Sequence, residues 1–169
     1  MRLSRLDFRV LFMIKVNVVC VGKVKEKYFV EAINEYSKRL SRFCDFKIIE
    51  VREENFSTQP NEAEKQKILE REGAEILPKL KGTVIATCIE GKKINSQNLA
   101  ELIDKSVSFG EEITFVIGGS YGILEKIKNL AKHKISFSDM TFPHTLFRVM
   151  LTEQIYRAFM INAKSDYHK

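Results

Sequence analysis

Two short runs constrain this chain more than any other feature. Residues 16–21 (Val-Asn-Val-Val-Cys-Val) and 113–117 (Ile-Thr-Phe-Val-Ile) are apolar nearly throughout instead of alternating with polar residues. Strands of that kind need cover on both faces, a condition met by parallel sheets with helices on either side. Residues 46–51, 83–89 and 134–137 add three more strand-like runs, the second of them rich in β-branched residues. Between the runs the period changes to that of a helix. Phe29, Ala32, Ile33, Tyr36 and Leu40 make one stripe of a helix over residues 26–40. Asn61 caps a second helix that carries Glu62 and Glu64 in its first turn and ends near Pro78. Ser96 is read as the cap of a third, which holds Leu99, Leu102, Ile103 and Val107 and closes at Gly110. A short helix over 123–132 and a long one over 145–163 complete the series. Strands separated by helices in this order predict an α/β fold: a single domain with a mostly parallel sheet and flanking helices.

The first twelve residues read differently. Arg2, Arg5 and Arg9 interrupt the apolar positions, so no apolar segment forms, and no small-residue cleavage site follows. They are expected to be an extension outside the fold, with the domain spanning 13–169. At 169 residues one domain is the default. No apolar run reaches the roughly 18–20 residues of a membrane span. Cys20, Cys44 and Cys88 are odd in number and widely spaced, which fits neither a disulfide framework nor a zinc cluster; free thiols suit the cytoplasm. The 28 Lys and Arg against 22 Asp and Glu leave a net charge of +6, compatible with a polyanionic partner without requiring one. The alternating charges of residues 62–75 read as an ordinary solvated helix face.

In sheets of this class ligands sit beyond the carboxyl ends of the strands. That directs attention to Gly22, to residues 87–91, to residues 118–122 and to the segment after Phe137. Gly118-Gly119-Ser120-Tyr121-Gly122 joins a buried strand to a helix, but it is neither a Walker loop nor GxGxxG, and it contains no Lys or Arg to meet a pyrophosphate. It therefore suits a nucleoside-like ligand better than a nucleotide, or else it is a tight turn without a ligand. Residues 137–144 (Phe-Ser-Asp-Met-Thr-Phe-Pro-His) offer backbone and hydroxyl groups, and His144 can serve as base, donor or cap. The last helix is apolar over most of its circumference, as expected of a core helix or a subunit contact. Arg148 can pair with an acid or reach a phosphate. The tail, with Lys164, Tyr167, His168 and Lys169, mixes cations with a ring that can stack on a base. Histidines and cysteines are too scattered for a metal site.

Val21-Gly22-Lys23, Glu90-Gly91-Lys92, Val116-Ile117-Gly118-Gly119-Ser120, Met140-Thr141-Phe142-Pro143-His144, Arg148-Val149, residues 153–158 and the closing Tyr167-His168 together resemble the RlmH family. These are SPOUT-class methyltransferases that modify a pseudouridine of large-subunit ribosomal RNA at N-3. The resemblance covers residues 13–169. It implies a trefoil knot in the C-terminal segment, a homodimer, ribosomal RNA within the ribosome as partner, and no metal. It also implies S-adenosyl-L-methionine as cofactor, bound by Thr87, Gly118, Phe137, Ser138, Asp139, Met140, Thr141 and Phe142. The family often has Leu where this chain has Thr87, so a side-chain contact there would be weaker while a backbone contact would survive. The imide nitrogen of pseudouridine holds its proton at neutral pH, so a base or an anion-stabilising cation is needed. Arg148, Tyr167 and His168 are the candidates, acting across a dimer interface. The competing reading is a non-catalytic RNA- or ribosome-binding module of the same fold. A small nucleotide- or flavin-binding protein would need a phosphate loop that this chain lacks.

Overall fold

The structure, a computed structural model, describes residues 13–55 and 59–167; the expectation for residues 1–12 and the candidate His168 lie outside them. Both apolar runs form central strands. The elements are β1 (Lys15–Val21), α1 (Lys27–Leu40), β2 (Asp45–Val51), α2 (Glu62–Ile76), β3 (Thr83–Lys93), α3 (Ser96–Ser108), β4 (Ile113–Ile117), α4 (Glu125–Leu130), β5 (His133–Ser136) and α5 (His144–Asn162). The five strands form one sheet, all pairs parallel, in the order β2-β1-β4-β3-β5.

Successive side chains of a strand point to opposite faces, and both faces here are covered. Val16, Val18 and Cys20 of β1, with Phe115 of β4 and Ile85 of β3, pack against Leu40 of α1, Leu99 and Ile103 of α3, and Leu151 and Ile155 of α5. The residues in between, Val19, Val21, Val84 and Val116, pack against Ile76 of α2 and Ile127 of α4. The doubly covered sheet expected from the two apolar runs is therefore present. Neighbouring strands β3 and β4 send their following helices to opposite faces, which opens a crevice between their carboxyl ends.

Two sequence expectations shift in detail. Asn95, not Ser96, caps α3: its side chain accepts from the Asn98 amide while the Asn98 side chain accepts from the Asn95 amide. The Ser96 hydroxyl instead donates to Gln154 Oε1 at 2.7 Å, tying α3 to α5. Strand β3 also runs beyond Ile89. Thr87 pairs with Ile135, the register then skips, and Lys92 pairs with the same Ile135. Residues 88–91 are thus looped out of the ladder. Asn61 caps α2 in a full capping box with Glu64, as its spacing predicts.

Candidate functional site

The looped-out segment of β3 makes one wall of a cavity of about 750 Å³. The loop needs Gly91, because a Cβ there would lie 2.5 Å from the carbonyl carbon of Ile135. The opposite wall is the 118–122 turn. It closes on itself, with the Gly122 amide donating to Gly119 O at 3.1 Å and a Cβ at Gly118 falling 2.2 Å from Gly122 O. The glycine at 118 is thus required by the turn itself, and the same turn forms part of the cavity.

The floor and lid come from the segment that follows β5. The Ser136 hydroxyl donates to Ser138 O, and the Ser138 hydroxyl accepts from the Met140 amide, both at 3.0 Å. The Phe137 ring packs on Phe147 with centroids 4.9 Å apart. Thr87, Gly118, Phe137, Ser138, Met140, Thr141 and Phe142 all line the cavity, so the structure gathers seven of the eight residues expected to hold a cofactor. Asp139 is set apart: it is not among the lining residues and its carboxylate pairs with Lys93. The Thr87 hydroxyl donates to Val116 O at 2.7 Å, so its proton is already engaged within the sheet. Lys128 is the one Lys or Arg among the lining residues, and it is paired with Glu90 and Glu125. His144 opens α5, lines the cavity and faces Gly22, where a Cβ would lie 3.6 Å from its Nε2.

Two of the residues expected to act in chemistry, Arg148 and Tyr167, are not among the cavity's lining residues. Arg148 is 1 % exposed and serves the scaffold. Its Nη1 meets Glu50 Oε1 at 2.7 Å, and its Nη2 donates to the carbonyls of Val21 and Gly22. Of its two expected uses, pairing with an acid is the one observed. Tyr167 donates to Glu153 Oε1 at 3.2 Å, with the Arg157 guanidinium 4.8 Å from its ring centroid and Tyr156 edge-on to it. Burial first, and then the hydrogen bond with Tyr36 and the charge of Glu153, push its phenol up to about 12. A second groove, lined by Tyr36, Val149, Met150, Glu153 and Gln154, runs beside this cluster. It shares Phe137 with the main cavity.

Sequence reasoning missed Glu72. Read as part of a solvated face, it is 3 % exposed, with Oε2 buried and without a partner. No periodicity distinguishes it from the exposed acids around it. Among the described residues no group of His, Cys, Asp or Glu is gathered so as to hold a metal, and no helix is long and apolar enough to cross a membrane.

The family described as "Predicted SPOUT methyltransferase" matches residues 14–168. Ribosomal RNA large subunit methyltransferase H of Streptococcus uberis is 49% identical over 158 residues, which are 92% of this chain and 99% of the relative. Putative ribosomal RNA large subunit methyltransferase H of Methanococcus maripaludis is 50% identical over 157 residues, 91% of this chain and 99% of the relative. The crystal structure of a probable methyltransferase from Bordetella pertussis Tohama I superposes with a TM-score of 0.52 at 9% identity, covering 92% of this chain and 99% of that one, and so shares the fold. The fold, the near-complete family match and the two full-length relatives lead to one conclusion: the chain belongs to the SPOUT methyltransferase family.

Proposed function

We propose that this protein transfers a methyl group from S-adenosyl-L-methionine to N-3 of a pseudouridine in large-subunit ribosomal RNA, as a homodimer acting on ribosomes in the cytoplasm. The observation that carries the reading is the cavity at the β3–β4 crevice. It is walled by loop backbone and apolar side chains, and its Lys128 is already neutralised by two acids. Such a site suits a nucleoside that carries a sulfonium cation, and it offers no free Lys or Arg to a phosphate. The names of the two relatives supply the RNA class.

When bound, the cofactor supplies a methyl group activated on a sulfonium centre. The backbone of Thr87 and Gly118 and the segment Phe137, Ser138, Met140, Thr141 and Phe142 would hold it, with Asp139 bracing that segment from outside through Lys93. Catalysis then rests mainly on fixing the reacting atoms in line. Arg148 acts as a positioning residue, joining the start of α5 to the exit of β1. The Tyr167 phenol, shifted upward, is a poor proton acceptor and serves as a donor that anchors the tail on Glu153. His168, next in sequence, is the remaining candidate for the imide proton. The tail lies by the groove that adjoins the cavity through Phe137, so a second copy seated in that groove would bring the two tails near the two cavities. The return of the chain from edge strand β5 to the exit of β1 is also the path a threaded C-terminal segment would take.

Incubation with ribosomes, separate subunits or free RNA and methyl-labelled cofactor, followed by mapping of the labelled nucleoside, tests the reading. Label in one pseudouridine of large-subunit RNA is expected. Ribosome binding without incorporation in any assembly state would establish the non-catalytic module instead.

A further inference from the structure

Glu72 lies on α2, behind the 118–122 turn and outside the cavity. A Cβ placed on Gly119 would meet its Oε2 at 3.1 Å and its Oε1 at 3.2 Å, so the carboxyl group is packed directly against the turn. Oε1 accepts from the Glu54 amide at 3.2 Å; Oε2 is buried with no partner. The groups facing it are mostly acids. Glu53 and Glu54 approach from the segment after β2, with Arg71 held by Glu54. Glu75 lies on α2 itself, its Oε2 occupied by the Arg52 amide. From β4 and its turn come Gly119 and Ser120, the latter 3.4 Å from Glu53. His144 of α5 stands across Gly22 from Glu53. A carboxylate with one lone hydrogen bond in such surroundings gains little from being charged.

We propose that Glu72 is a positioning residue for the cofactor loop, wedged behind Gly119 as a neutral carboxylic acid, so that loss of its proton to solvent loosens the turn and weakens S-adenosyl-L-methionine binding. The inference rests on the cofactor assignment made above. Burial, and then the charges of Glu53, Glu54 and Glu75, push the carboxyl up to about 7 against the lowering effect of the Glu54 amide, which places the change in the neutral range. The effect is directional. Protonated, Glu72 adds no charge beside three acids and leaves the turn packed; ionised, it repels them and draws water toward the back of Gly119.

Calorimetric titration of the whole protein with S-adenosyl-L-methionine between about pH 6 and 8.5 tests this, because one linked proton changes affinity by at most tenfold per pH unit. Wild-type affinity is expected to fall about tenfold across that range and that of Glu72→Gln less than about twofold, since the amide keeps the shape without the charge. Parallel profiles for the two proteins, or loss of binding by Glu72→Gln at the acid end, overturn the proposal. Carboxyl carbon resonances give a second readout that needs neither the variant nor the cofactor. Glu72 is expected to titrate near neutrality with the Gly119 amide moving in step; a titration complete below about pH 5, or a static Gly119, overturns the proposal as well. Failure of the wild type to bind at any pH falls on the cofactor assignment, and the resonance titration then decides on Glu72.

Discussion

Arg148 and Glu72 are the two charged side chains whose burial departs most from what their residue types lead one to expect. Arg148 has compensation: Glu50 and two carbonyls take up both terminal nitrogens, leaving Nε alone without a partner. Replacing it with Met strands Glu50 and the carbonyls of Val21 and Gly22, and unfolding in denaturant is expected to show a loss of about 3 kcal/mol. Unchanged stability would show that this network adds nothing to the fold. Glu72 makes the opposite statement. Its folded value of about 7 exceeds the 4.5 of an ordinary Glu, so the folded chain binds more protons between those limits. The contribution of Glu72 to stability must then fall as pH rises from about 4.5 to about 7 and level off above, by up to about 3 kcal/mol, so Glu72→Gln should differ from the wild type by that slope. Chemical denaturation at several pH values reads it directly. Glu72 was not legible in the sequence, and Arg148 was legible only in part. Arg148 could be seen as a punctuating charge in an apolar helix, but its partner is 98 residues away along the chain. Glu72 sits in a run of alternating charges that looks solvated, and only the approach of the 118–122 turn from another part of the chain covers it.

At the scale of elements, the turn after β4 and the break in β3 are built on glycines that have no room for a side chain. Gly118→Ala and Gly91→Ala each drive a methyl group into backbone, at 2.2 Å from Gly122 O and 2.5 Å from Ile135 C. Each is expected to cost about 3 kcal/mol and to abolish cofactor binding, as measured by thermal melting and titration calorimetry. Strand and helix periods were legible here because burial on both faces leaves a local signature. The GGxxG turn was legible as a feature, and its place at a carboxyl edge marked it as part of the site. The break in β3 was not: the run 83–89 is a good strand by composition, and its continuation to Lys93 depends on Ile135 serving two partners. The same limit explains the cap of α3. Asn95 and Ser96 are both good caps, and the side-chain bond to Gln154 draws Ser96 away.

For the whole molecule, the open groove along α5 is the surface on which the proposed homodimer would form. Val149 and Met150 are only half-buried there, an unusual state for apolar residues midway along a core-facing helix. Light scattering is expected to give twice the 19.6 kDa of one chain, and Met150→Asp to return a folded monomer with impaired methyl transfer. The net charge of +6 includes +2 from residues 1–12, which hold three Arg and one Asp, so the body carries +4. That modest charge predicts weak binding to unstructured RNA with a shallow salt dependence, checked by filter binding across a salt series.

The order of residues along the chain sets when the cavity can close. Residues 135–147, which complete the cavity, are synthesised after the residues of its other walls. A chain emerging from synthesis can therefore carry β1 to β4 and their helices while offering the cofactor nothing to close on. Products cut short before Phe137 lack this wall and are expected to leave the proposed cofactor to finished copies.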